Sequence, residues 1–186
     1  MKILVTAFGP FDGRPENASS LALRGLSEIF PQLRTRILPV DSVVAPARLR
    51  QAVKQIRPDV LIMLGEAAGS KSIRLETTAF NELDFSIPDI AGRQPQGSSI
   101  VSGAPSHLRS TLPLDMIHSR LTELEHDVCF SDDAGRYLCN QLFFVARHFL
   151  DARAIACRAG FIHLPLAREY PTDRAVAALA GVIGAL

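Results

Sequence analysis

Apolar residues gather in short runs at positions 3–6, 36–40, 60–64, 127–130 and 154–164. Continuous rather than alternating hydrophobicity marks strands covered on both faces, as in a parallel sheet. Between these runs lie helical stretches over 19–30, 45–56, 113–124, 136–150 and 171–186, several of them opened by Ser, Asn, Asp or Pro in the manner of helix starts. Strand and helix in alternation predict an α/β sheet with helices on both faces.

The interval 70–112 breaks the rhythm. Its one alternating stretch, 72–81, predicts a strand and a hairpin, and the passage SIPDIAGRQPQGSS that follows predicts a long surface loop. Loops of that length are uncommon in compact domains and tend to be functional, so this one is expected to cover a site. No internal repeat is visible.

Composition narrows the choice. With 186 residues, 47% of them hydrophobic, the chain can bury one substantial core and is too short for two ordinary domains. Its 20 basic and 19 acidic residues are interspersed and leave a net charge of +1, which gives no footprint for nucleic acid or an anionic membrane. The start, MKILVTAFGPF, reads as a first strand rather than a signal peptide, and the apolar tail 175–186 is too short to span a bilayer, so a cytoplasmic protein is expected. The partner this favours is a small, weakly charged molecule.

Three cysteines, Cys129, Cys139 and Cys157, form no C-x-x-C pair, and the five histidines show no ligand spacing. Neither a disulfide framework nor a metal site is expected. Cys139 follows a strand and the turn SDDAGR near the start of a helix, where free backbone amides and the helix dipole favour an anion. Cys129 and Cys157 lie in apolar runs and read as small buried hydrophobes. His163 stands just before Pro165, at the carboxyl end of a strand, the edge where open α/β sheets bind ligands. His107, His118, His126 and His148 read as solvated. Glu76 belongs to the alternating series Ser72, Arg74, Glu76, Thr78, which taken alone is a solvent-facing strand surface. A carboxylate beside an imidazole would nevertheless orient it and complete a Cys, His, Glu arrangement. Phe8 and Phe11 flank Gly9 and Pro10 directly after the first strand, either as a core plug or as walls of a flat pocket. AFGPFDG and GEAAGS lack dinucleotide and P-loop spacing.

Taken in order, LVTAFGPFDGRPENAS, LGEAAGS with RLETTAFN, IPDIAGRQP, AGRYLCN and GFIHLP resemble the motifs of the pyroglutamyl peptidase I (pyrrolidone-carboxylate peptidase) family of cysteine peptidases, nearly end to end. The resemblance implies a single three-layer α/β/α domain over 1–186 with a mostly parallel mixed sheet, no metal or organic cofactor, and a homo-oligomer, tetramer or dimer. It implies removal of N-terminal pyroglutamyl groups from peptides through a thioester. Cys139 would be the nucleophile, His163 the base and then acid, and Glu76 the residue that orients His163. Phe8 and Phe11 would contact the pyrrolidone ring, with Asn17, Glu66 and Tyr137 also at the substrate.

The chain departs from the family pattern in three places. Gly65-Glu66-Ala67-Ala68-Gly69-Ser70 stands where the family has Gly-Gln-Ala-Gly-Gly-Arg, Ser86 stands where an arginine is usual, and Asp12-Gly13 stands for Gly-Gly. Two other functions stay open on this basis: a cysteine amidohydrolase of altered acyl specificity, and a catalytically silent protein that binds a small ligand.

Overall fold

In this computed structural model, which describes residues 1–186, the chain runs β1 (Ile3–Phe8), α1 (Ala18–Ile29), β2 (Arg34–Leu38), α2 (Val44–Ile56), β3 (Val60–Ala67), β4 (Ile73–Glu76), β5 (Thr78–Phe80), β6 (His107–Arg109), α3 (Leu114–Glu123), β7 (Val128–Ser131), α4 (Leu138–Asp151), β8 (Arg158–Pro165) and α5 (Thr172–Gly184). Six strands form one sheet in the order β2-β1-β3-β8-β4-β7. β2, β1, β3 and β8 are mutually parallel, while β4 joins β8 antiparallel and β7 follows β4 parallel. The result is a single α/β domain with a mostly parallel mixed sheet.

The apolar run of β3 has the expected cause. Along β3, Val60, Ile62 and Leu64 enter one core with α1, α3 and α5, while Leu61 and Met63 enter the other with α2 and α4. Both faces of β3 are therefore dry, and each fully buried aliphatic side chain contributes about 1.5–3 kcal/mol. No helix is long and apolar enough to cross a membrane.

Several expectations are corrected. β2 and β7 are the edge strands, and their runs are not covered on both sides: Ile37 and Phe130 are exposed, and Cys129 is half-buried rather than a core thiol. β8 starts at Arg158, not 154, because Ala154 takes a left-handed conformation (φ 49°) that ends the turn after α4. The hairpin expected within 72–81 does not form. β4 pairs with the main sheet, whereas β5 pairs antiparallel with β6, which lies at the far end of a long excursion. His126 is half-buried rather than freely solvated, its Nδ1 lying 2.7 Å from the Tyr170 hydroxyl.

Candidate active site

Phe8 closes β1, Glu66 lies near the end of β3, His163 lies near the end of β8, and α4 begins beside them. All stand at the carboxyl edge of the parallel strands, where chain reversals leave a crevice. A cavity of about 150 Å³ opens there. Six expected residues line it: Phe8, Phe11, Asn17, Glu66, Tyr137 and Cys139. Arg14, Val40, Ile87 and Leu138 complete the lining, and the first three were not anticipated from the sequence.

Glu76 is fully buried, which overturns the reading of its series as a solvent-facing surface. In the antiparallel β4–β8 register, Glu76 opposes Phe161 and Arg74 opposes His163, so Glu76 and His163 are diagonal neighbours on one face. The His163 Nδ1 lies 2.8 Å from Glu76 Oε1. The Arg74 guanidinium stands 3.7 Å from the same oxygen, and Glu76 Oε2 is buried with no hydrogen-bond partner. Burial disfavours a charged imidazole, yet the negative charge and hydrogen bonding of the Cys139 sulfur, together with the Glu76 carboxylate, outweigh it and raise His163 to about 9. The ring therefore holds its proton at neutral pH. A buried carboxylate with one orphaned oxygen costs folding free energy, so this pair is poor as a stabilising device and well suited to fixing a ring.

Cys139 is the second residue of α4. Tyr137 occupies the cap position without a capping side-chain hydrogen bond, so the first amides of the helix are left free of a local acceptor. Against the sulfur lies the backbone of Gly65: a Cβ there would come within 2.9 Å of Cys139 Sγ and of the Phe161 ring. Only glycine lets β3 pass beneath the thiol. The next residue, Asn140, is fully buried and clamps the excursion to α4: its carboxamide accepts from Phe80 N at 2.8 Å and donates to Phe80 O at 2.9 Å and Glu82 O at 3.0 Å.

The walls of the cavity are aromatic. Phe11 and Tyr137 lie 5.8 Å apart between ring centres, and Tyr137 packs on buried Phe85 at 4.4 Å. Burial pushes the Tyr137 hydroxyl well above its usual range, helped by the nearby charges of Asp89, Cys139 and Asp12, so the ring is neutral throughout. Asn17 caps α1, its Oδ1 accepting from Ser19 N at 3.0 Å, which turns its side chain inward to the helix. Glu66 Oε2 accepts from Ala18 N at 2.8 Å, and Oε1 pairs with Arg14. Ser86 is exposed and does not line the cavity, and Ser70 Oγ donates to Ser72 O within its own turn.

The excursion after β5 reaches over the cavity, placing Ile87 at its edge, as the long interval led one to expect. What holds it is a buried carboxylate. Asp89 accepts from Ser42 N and Oγ, Ala91 N, and Arg93 N and Nε at 2.7–3.2 Å. Arg93 also pairs with Asp41, the residue whose Oδ1 receives the amides of Val43 and Val44 at the start of α2. The Tyr137 hydroxyl adds a bond to Pro88 O at 3.2 Å. Burial alone would raise the Asp89 carboxyl, but the hydrogen bonds from Ser42, Arg93 and Ala91 prevail and hold it well below the usual carboxylate range. A depressed folded-state value means that stabilisation is present above the unfolded value of about 4 and is lost as pH falls below it. Asp89→Asn is expected to cost about 2–3 kcal/mol at pH 7 through loss of charge-assisted bonds. Thermal unfolding of both proteins should show a Tm difference of about 5–10 °C that narrows below pH 4; a pH-independent gap would refute this account.

Comparison with known proteins agrees with the geometry. A model of the pyroglutamyl peptidase family matches residues 1–179. The chain is 35% identical over 176 residues to the pyrrolidone-carboxylate peptidase of Thermococcus kodakarensis, covering 94% of this chain and 85% of that protein. It is 37% identical over 171 residues to that of Vibrio vulnificus, covering 90% and 80%. Among solved structures, a mutant pyrrolidone carboxyl peptidase from Pyrococcus furiosus superposes with a TM-score of 0.92 at 30% identity, over 100% of this chain and 97% of that one. Pyroglutamyl peptidase I from Bacillus amyloliquefaciens does so with a TM-score of 0.92 at 28% identity, over 99% and 93%. The chain belongs to the pyroglutamyl peptidase family, a class of cysteine-type omega peptidases.

Proposed function

We propose that the chain removes N-terminal pyroglutamyl residues from peptides through a Cys139, His163 and Glu76 triad. The observation that carries the reading is the buried 2.8 Å Glu76–His163 contact beside a thiol that opens both a helix and an aromatic cavity. The Cys139 sulfur attacks the pyroglutamyl carbonyl carbon, and the oxyanion is received by the uncapped amides of Leu138 and Cys139. The C–N bond then breaks as His163 gives its proton to the leaving amine. Water, deprotonated by the neutral ring, attacks the thioester, releasing pyroglutamate and returning the sulfur and the protonated ring. Glu76 keeps Nδ1 occupied so that Nε2 faces the chemistry.

Selectivity follows from the walls. A flat, uncharged lactam fits against the aromatic lining made by Phe8, Phe11 and Tyr137, whereas a charged amino terminus would lose hydration beside a Glu66 carboxylate already paired with Arg14. The reading extends to a cytoplasmic homo-oligomer.

Hydrolysis of a fluorogenic pyroglutamyl amide, run beside prolyl and other small neutral acyl amides, tests this. The pyroglutamyl compound should be preferred by at least about a hundredfold in kcat/KM. Preference for another acyl group would establish the drifted amidohydrolase instead, and turnover of none would establish the binding protein.

A further inference from the structure

Two of the three aromatic side chains that line the cavity, Phe8 and Phe11, are held in different ways. Phe8 belongs to β1 and is fixed by the sheet. Phe11 sits in the connection between β1 and α1, is only half-buried, and is followed by two residues in left-handed conformation, Asp12 (φ 57°) and Gly13 (φ 67°). Between Pro10 and Glu16 the one backbone hydrogen bond is local, Arg14 N to Phe11 O at 3.2 Å. The one polar side-chain tie from this stretch to the body of the protein is Arg14 to Glu66.

Glu66 is well placed to anchor it. Its side chain is 8% exposed, it extends from β3, and its second oxygen already holds the first amide of α1. One carboxylate thus pins both the middle and the end of the loop to the sheet, and the Arg14 guanidinium cancels its charge, leaving the cavity wall neutral overall.

We propose that Arg14 is a positioning and specificity-determining residue: by pairing with Glu66 it holds the Phe11 ring against Tyr137 and closes the acyl pocket around an uncharged group. The ring then needs no ordering when ligand binds, so the pair acts on affinity rather than on the chemical step. The specificity half of this inference rests on the proposed function; the positioning half does not.

The two halves are read separately. The chain has no Trp and two Tyr, so in a Tyr170→Phe background Tyr137 is the one strong fluorophore and reports directly on the cover that Phe11 provides. Arg14→Ala should raise acrylamide quenching of Tyr137, and Arg14→Lys should restore most of the protection. With the pyroglutamyl amide, Arg14→Ala should raise KM about tenfold while kcat stays within about twofold, the pattern of lost uniform binding. Alkylation of Cys139 by iodoacetamide, which needs no acyl pocket, should keep its wild-type rate. Unchanged quenching in Arg14→Ala overturns the positioning role whatever the activity. Changed quenching with unchanged KM overturns the specificity role, and a fall in alkylation parallel to that in kcat/KM would show a general disturbance of the site and overturn both. Absence of turnover in the wild type would defeat the proposed function and with it the specificity half, leaving quenching to decide the positioning half.

Discussion

Cys139→Ala is expected to remove hydrolysis of a pyroglutamyl amide almost entirely, by a factor on the order of a million, as happens when the nucleophile of a triad is deleted. In the proposed mechanism neither other thiol can stand in for this sulfur: Cys129 lies on the β7 edge strand, and Cys157 is buried in the core against which Cys139 packs, outside the cavity lining, where burial pushes its thiol up to about 11. The variant should fold normally, because one small, half-buried atom is lost from a cavity wall. It also carries a second signature independent of turnover. Burial opposes protonation of His163, and the Cys139 sulfur is the leading influence that reverses this. Without it, an imidazole NMR titration should place His163 clearly below about 9. An imidazole that still titrates at the wild-type value would mean that the sulfur does not face the ring, and the nucleophile assignment would fall.

Glu76→Gln is the second large effect. The amide keeps the volume and can accept from Nδ1–H, but it removes the charge and can present its NH2 instead, which selects the wrong tautomer. Loss of this kind costs about ten-thousandfold in kcat. The alkaline limb of the kcat/KM profile should also move to lower pH, since the carboxylate is among the groups that hold the ring above its ordinary value against burial. Stability should respond little: the wild-type carboxylate is itself buried with one oxygen unpartnered, so neutralising it relieves a cost even as it breaks a bond. Melting and activity measured on the same sample separate these effects. A large fall in Tm with activity within tenfold of wild type would make Glu76 a structural residue.

How far the sequence reaches is set by the range of the interactions involved. Cys139 and His163 could be placed because each owes its position to a local event, a turn into a helix and the last residues of a strand. The layered fold was equally legible, since Val60 to Leu64 must be dry on both sides for so continuous a run to exist. Glu76 was another matter. Its alternation is that of an exposed strand, and its burial follows from pairing with β8, which no local pattern encodes; only the family resemblance pointed to it. β5 misled for the same reason, its partner standing beyond the excursion in β6. Arg14 escaped because an arginine among Gly, Pro and Glu reads as solvated loop, and its partner Glu66 is supplied by another strand. The Asp89 latch escaped because five donors converge from two segments far apart in the chain.

The strand order carries a further consequence, for when the site comes into being. β8 is the last strand to be synthesised, yet it lies in the middle of the sheet and is the sole link between β2-β1-β3 and β4-β7. Until it inserts, the two halves have no common edge, and Glu76 waits 87 residues from the histidine it will hold. Pairings of such long range form late, because loop closure must precede the contacts that reward it. In the proposed mechanism, the Cys139 thiol of a chain still emerging from the ribosome thus has no Glu76-held imidazole to activate it. On the proposed mechanism, peptidase activity therefore appears only with completion of the fold.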